Sequence, residues 1–145
     1  DNPALQAFKR GVGAVSAGHA AGPAAGIRLG NLVDMRGTRG LAVVALYNRE
    51  VLIEETFDTY AELSESTRLI EAIRELPYGT FVVMAARDDA TRRFSGAADS
   101  ALLRLGAREG LRKQPYRSAY LLVGVKGLAP GDAVERWDAG KVVFP

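Results

Sequence analysis

Three stretches of the chain are almost continuously apolar: Leu41 to Tyr47, Thr80 to Ala86 and Tyr120 to Val125. Runs of this length with β-branched residues predict buried strands, because a strand with one wet face alternates apolar and polar positions. After the first run, Asn48-Arg49-Glu50 supplies turn residues, and Val51 to Phe57 partly alternates. That pattern predicts a hairpin whose second strand shows Glu54 and Glu55 to solvent. Leu69, Ile70, Ile73 and Leu76 fall at helical spacing opposite Glu65, Arg68, Glu71 and Glu75. A helix capped by Ser64 or Ser66 is therefore expected, ending at Pro77-Tyr78-Gly79.

A second, shorter helix is expected from Ser95 as its cap through Ala98, Leu102, Leu103 and Leu105, with Gly106 where a left-handed residue is wanted. Residues 11–26 are rich in Gly and Ala and predict a short strand followed by a small-residue loop. Ile27 to Met35 reads as a strand broken by Gly30-Asn31, and Val142-Val143-Phe144 as an added edge strand. The expected class is α+β, with mainly antiparallel sheet packed on at least two helices.

Composition narrows the chemistry. The 145 residues suit one domain, 1–145, and the opening Asp1-Asn2-Pro3 reads as a domain excised from a larger protein. No apolar run approaches the roughly 18 residues of a membrane-spanning helix, so no membrane insertion is expected. The absence of cysteine excludes disulfides, thiolate metal sites and a cysteine nucleophile, and the single histidine, His19, is too few for a His-rich zinc site. No metal or cofactor is expected. Residues 49–75 carry 3 basic and 8 acidic side chains, whereas residues 87–117 carry 8 basic and 4 acidic. Asp88, Asp89, Asp99 and Glu109 interrupt the basic half and would repel phosphates, which argues against nucleic acid as a partner.

Four ordered blocks carry a resemblance: Arg39-Gly40-Leu41 leading into Val43-Val44; Phe57-Asp58-Thr59-Tyr60; Arg87-Asp88-Asp89-Ala90; and Tyr116-Arg117 before Leu121 to Gly127, with the Leu102 to Gly106 segment between the last two. Together they resemble the domain family named after the interleukin-like inducer of epithelial-mesenchymal transition (interleukin-like EMT inducer). That family also includes the pancreatic-derived factor and the stem domain of protein O-mannose N-acetylglucosaminyltransferase. The resemblance covers roughly residues 12 to 127. It implies two twisted antiparallel β-sheets packed together and flanked by helices, and a non-catalytic, lectin-like module. In the transferase relative such a stem recognises β-linked N-acetylglucosamine, through polar contacts at positions matching Arg39, Asp88 and Arg117. The resemblance favours an extracellular or cell-surface location, while the missing cysteines set the chain apart from the secreted signalling members.

The residue types suit that role. A sugar hydroxyl both donates and accepts, so a site wants a carboxylate, fixed guanidinium donors and a ring against the C–H face. Asp88, Arg39 and Arg117 supply the first two, and Tyr116 or Tyr60 the ring. Charged hydrogen bonds contribute roughly 1.5–3 kcal/mol each before ordering costs, which fits weak binding. The plainer account makes Asp88 a structural ion-pair partner of Arg39 or Arg117 at the strand ends. Phe57-Asp58-Thr59-Tyr60 is first of all turn chemistry, Lys126-Gly127 a strand-end turn, His19 an exposed side chain and Arg87, Arg92 and Arg93 a solvated basic surface. Two other functions compete: a glycosidase using Asp58 and Asp88, and a protein-interaction domain with no sugar ligand.

Overall fold

The computed structural model describes residues 2–145; Asp1 lies outside them. The elements run α1 (Pro3–Lys9), β1 (Val12–Gly18), β2 (Ala24–Leu29), β3 (Val33–Arg36), β4 (Gly40–Tyr47), β5 (Glu50–Phe57), α2 (Leu63–Glu75), β6 (Phe81–Asp88), α3 (Gly96–Leu103), β7 (Ala119–Val125), β8 (Val134–Asp138) and β9 (Lys141–Phe144). The class is α+β. All nine strands are hydrogen-bonded into one mixed, open sheet, but the ladders are of unequal length. β5-β4-β6-β7-β8 is antiparallel throughout. β3-β2-β1-β9 is a second antiparallel run. As ladders they are joined only by a two-residue parallel pairing, Ala17 with Arg87 and Gly18 with Asp88.

The continuous apolar runs are explained by burial on both faces. Leu41, Val43, Val82, Met84, Tyr120 and Leu122 pack with Leu69 and Ile73 of α2 and Leu102 of α3. The residues between them, Ala42, Val44, Val83, Ala85, Leu121 and Val123, pack with Ala14, Ile27, Leu29 and Met35 of the second run. Alternate side chains of each central strand thus enter different cores, and neither face is left to water. Truncating one of these leucines to alanine costs about 2–5 kcal/mol.

The β4–β5 hairpin turns on Asn48 and Arg49 at φ 53° and 66°, the left-handed pair a two-residue turn demands. Glu54 and Glu55 are exposed as expected. Ser95 caps α3, accepting the Ala98 N–H at 3.0 Å, and Gly106 beyond the helix end has φ 100°. The caps expected for α2 are a correction. Glu62 holds the cap position without a side-chain bond, Ser64 donates to Glu62, and Ser66 reaches across to the Arg93 carbonyl at 2.6 Å. A tertiary acceptor outcompeted the local one. Two elements had no sequence expectation: α1, seven residues held by Asn2 accepting the Leu5 N–H, and β8, where Arg136, Trp137 and Asp138 are exposed and the half-buried Glu135 accepts the Arg108, Glu109 and Gly110 N–H groups and the Tyr120 hydroxyl.

Lys126 is more than a strand-end residue. It is buried, and its ammonium donates to the carbonyls of Ile73, Arg74 and Leu76 at 2.9, 2.7 and 2.6 Å. These carbonyls end α2, that of Ile73 also accepting the Leu76 N–H at 3.1 Å, so one side chain ties the helix to the far end of β7.

Candidate functional site

At one end of the central sheet, β4 begins, β5 and β6 end, β7 begins and β1 ends alongside them. Arg39, Asp58, Tyr60, Asp88, Arg92, Tyr116 and Arg117 come from these strand ends and loops. Two glycines let the backbones meet there. A Cβ at Gly18 would lie 2.1 Å from the Arg117 carbonyl oxygen, and one at Gly40, where φ is 112°, 2.3 Å from that of Phe57. Any side chain at either position pushes two site loops apart.

Arg39 stands directly before β4 and pairs with Asp58 just after β5, with Nη2 to Oδ2 at 2.8 Å and Nε within 3.2 and 3.3 Å of the two carboxylate oxygens. Asp88, the last residue of β6, meets His19 Nδ1 at 3.1 Å. The expected direct pairing of Asp88 with Arg39 or Arg117 is therefore corrected: each has a different contact partner. His19, expected merely to be exposed, is half-exposed and bonded. Asp88 still lies within electrostatic reach of both arginines. The Arg39 pKa is raised chiefly by the Asp58 hydrogen bond, against desolvation, with the charges of Asp58, Tyr60 and Asp88 adding to it. For Arg117, desolvation works against the charge and is outweighed by Tyr116, Asp88 and Tyr60.

The rings organise the guanidinium groups. Arg39 and Arg92 lie over the Tyr60 ring at 4.6 and 5.2 Å from its centroid, and Arg117 over Tyr116 at 4.8 Å. Tyr60 and Tyr116 stack with centroids 6.5 Å apart. Tyr116, then Arg92, pull the Tyr60 phenol below its ordinary pKa, while Tyr60 pushes that of Tyr116 up. Tyr116 is about half exposed, at 53%, and offers the freer ring.

Beneath this surface sits Asp89, fully buried. Its carboxylate accepts the Arg117 N–H at 2.8 Å, the Arg92 N–H at 3.1 Å and the Thr91 hydroxyl at 2.8 Å. Thr59, also buried, donates to the Ala90 carbonyl at 2.7 Å, and Arg93 N–H donates to the Thr59 carbonyl. The sequence had offered Asp89 only as an acidic interruption of the basic half and a member of the Arg87 to Ala90 block. Its one distinguishing sign was the Asp88-Asp89 doublet at a strand end, where neighbouring side chains point opposite ways and one of the pair must turn inward.

Asp88 and Arg117 both have left-handed backbones, with φ 66° and 64°. For an arginine this is uncommon and costly, and such residues gather at functional sites. The surface is a platform rather than a cavity. A recess of about 730 Å³ lies beside it on the outer face of β1 and β2, touching Arg87 and Gly37 but not Arg39, Asp88 or Arg117. Among the described residues no cluster of three His, Asp or Glu is arranged to hold a metal, and no helix is long and apolar enough to cross a membrane.

A family profile described as interleukin-like EMT inducer matches residues 39–128, which run from Arg39 itself to just past β7 and enclose most of the platform. The chain belongs to the interleukin-like EMT inducer family. Three curated proteins are similar to this member of the family. A zebrafish (Danio rerio) cell surface hyaluronidase is 32% identical over 116 residues, 78% of this chain. The mouse and human proteins named cell migration-inducing and hyaluronan-binding protein are each 30% identical over 101 residues, 68% of this chain. The chain spans 8% of the length of the zebrafish protein and 7% of the mouse and human proteins.

Proposed function

We propose that this domain is a non-catalytic, lectin-like module that grips a glycan terminus on the platform formed by Arg39, Asp88, Arg117 and Tyr116. The observation that carries the proposal is the convergence of these residues, from distant parts of the chain, on one sheet end where ion pairing and stacking fix the guanidinium groups beforehand. Pre-organised donors lose little freedom on binding, which matters for weak polar ligands. Asp88 accepts from sugar hydroxyls, the guanidinium groups donate, and the Tyr116 ring covers a C–H face.

The relatives' names support a glycan partner, since all three refer to hyaluronan, and the zebrafish name supports service at the cell surface. β-Linked N-acetylglucosamine is a natural first ligand to test. A glycosidase built on Asp58 and Asp88 is disfavoured because both carboxylates are engaged, Asp58 by Arg39 and the Ala61 N–H, and Asp88 by His19. A protein-interaction role without sugar gains nothing specific from this arrangement.

Calorimetric or NMR titration with a glycan panel tests the proposal. Binding in the roughly millimolar to micromolar range is expected. Arg39→Ala and Asp88→Asn are each expected to weaken it about tenfold or more, asparagine being chosen because it tolerates the left-handed backbone. Folded variants that bind every sugar as well as the parent overturn the site.

A further inference from the structure

Three arginines and three carboxylates meet at the platform, but they do not all pair directly. Asp58 is taken by Arg39 and Asp88 by His19. Asp89 spends its acceptors on Arg117 N–H, Arg92 N–H and the Thr91 hydroxyl, below the surface. Among the described residues, the Arg92 and Arg117 side chains have no carboxylate within ion-pair distance. Each is instead held over a tyrosine ring, Arg92 over Tyr60 at 5.2 Å and Arg117 over Tyr116 at 4.8 Å. That distinction has chemical consequences. A salt bridge fixes a guanidinium group by matching its charge, whereas a tyrosine fixes it through its ring face and its hydroxyl and leaves the charge unmatched. The two backbones are tied to one buried carboxylate, so both side chains spring from a common rigid base, and the two rings that hold them stack on each other.

Resting on the lectin-like proposal above, we infer that the saccharide bound here is acidic, its anion held between Arg92 and Arg117 while Arg39 and Asp88 take neutral hydroxyls. Arg92 thereby becomes a binding residue, which a basic surface of ordinary solvated charge would not require. A uronate carboxylate and a sugar sulfate share the needed chemistry, planar or trigonal oxygens matched to guanidinium forks. A neutral sugar would offer these two guanidinium groups only uncharged acceptors, about half as strong as a carboxylate or sulfate oxygen.

The test compares one glucuronate-containing disaccharide, its methyl ester and a sulfated neutral counterpart by calorimetry at low and high salt. The free acid is expected to bind about tenfold or more tightly than its ester, with the difference shrinking as salt rises. Arg92→Gln is expected to weaken binding of the free acid severalfold more than binding of the ester, and circular dichroism checks that the variant is folded; equal losses for acid and ester would overturn the role of Arg92. Stronger binding of the sulfate than of the carboxylate keeps the inference and names sulfate as the source of the anion. Equal binding of acid and ester overturns the acidic-ligand inference and leaves the lectin-like module standing. No binding of these three or of any sugar in the wider panel overturns both.

Discussion

The Asp89 carboxylate accepts the backbone N–H of Arg117 at 2.8 Å across 28 residues of chain, and with its other oxygen it accepts the N–H of Arg92. One buried acid therefore sets the position of two exposed cations. Asp89→Ala leaves two N–H groups and a hydroxyl without partners in a dry place, at about 1–3 kcal/mol each if unrelieved. We expect a loss of about 3 kcal/mol in chemical denaturation together with loss of glycan affinity. Asp89→Asn, keeping one acceptor oxygen, should fall between. An Asp89→Ala protein as stable as the parent would show that the loops hold themselves.

Arg117 stores backbone strain. Replacing it with glycine removes the steric cost of the left-handed conformation, about 1 kcal/mol or more, and adds back part of that in unfolded-chain entropy. Arg117→Gly should therefore be as stable as the parent or up to about 1 kcal/mol more stable, and should bind glycan more weakly. Denaturation and titration on the same sample check the opposite signs. Stability lost along with binding would mean that the side chain, not the strain, matters to the fold.

Lys126 provides the control at the opposite end of β7. Lys126→Met uncaps the carbonyls of Arg74 and Leu76, takes one of two donors from that of Ile73, and should cost about 2–4 kcal/mol. Below its lowered melting temperature the variant should bind glycan like the parent. A parallel loss of affinity at a temperature where it is fully folded would couple the two sheet ends.

Asp99 gives a pH dependence. Burial raises its pKa, against the hydrogen bonds it accepts from the N–H groups of Leu111 and Arg112. Between the unfolded aspartate pKa and its own higher value, the native state binds more protons than the unfolded state. Its contribution to stability is therefore largest at low pH and falls as pH rises through that window. Asp99→Asn, which keeps an acceptor for the loop, should flatten this slope and match or exceed the parent at neutral pH, as denaturation midpoints from pH 3 to 7 would record. An unchanged slope would remove Asp99 as its origin.

The central strands, the β4–β5 hairpin and both long helices were legible because periodicity and turn residues report local burial. Glu54 and Glu55 correctly marked the part of β5 that meets solvent, and Ser95 a cap. Long-range hydrogen bonds were not legible. Ser66 carries the same local signal as Ser95, yet it serves Arg93, and nothing near Lys126 in the chain announces three carbonyls some 50 residues earlier. At the platform, Arg39, Asp88, Arg117 and Tyr116 were singled out by resemblance, and the fold brings them to one end. Their pairing was not foreseen, because Asp58 and Asp88 are equally plausible partners for Arg39 until the strand register is known. Asp89 and Arg92 were passed over as an acidic interruption and a solvated surface charge, and only the loop packing gives them their partners.

The most direct measurement is a two-dimensional NMR titration of the isotope-labelled domain with a bound glycan, following backbone amides and arginine side-chain Nε–H signals. Saturable shifts confined to residues around His19, Arg39, Asp58 to Tyr60, Asp88 to Arg92 and Tyr116-Arg117 are expected. Shifts centred instead on the recess between α2 and α3, at Ile70, Ala97 and Ala101, or on the outer face of β1 and β2, would contradict the account.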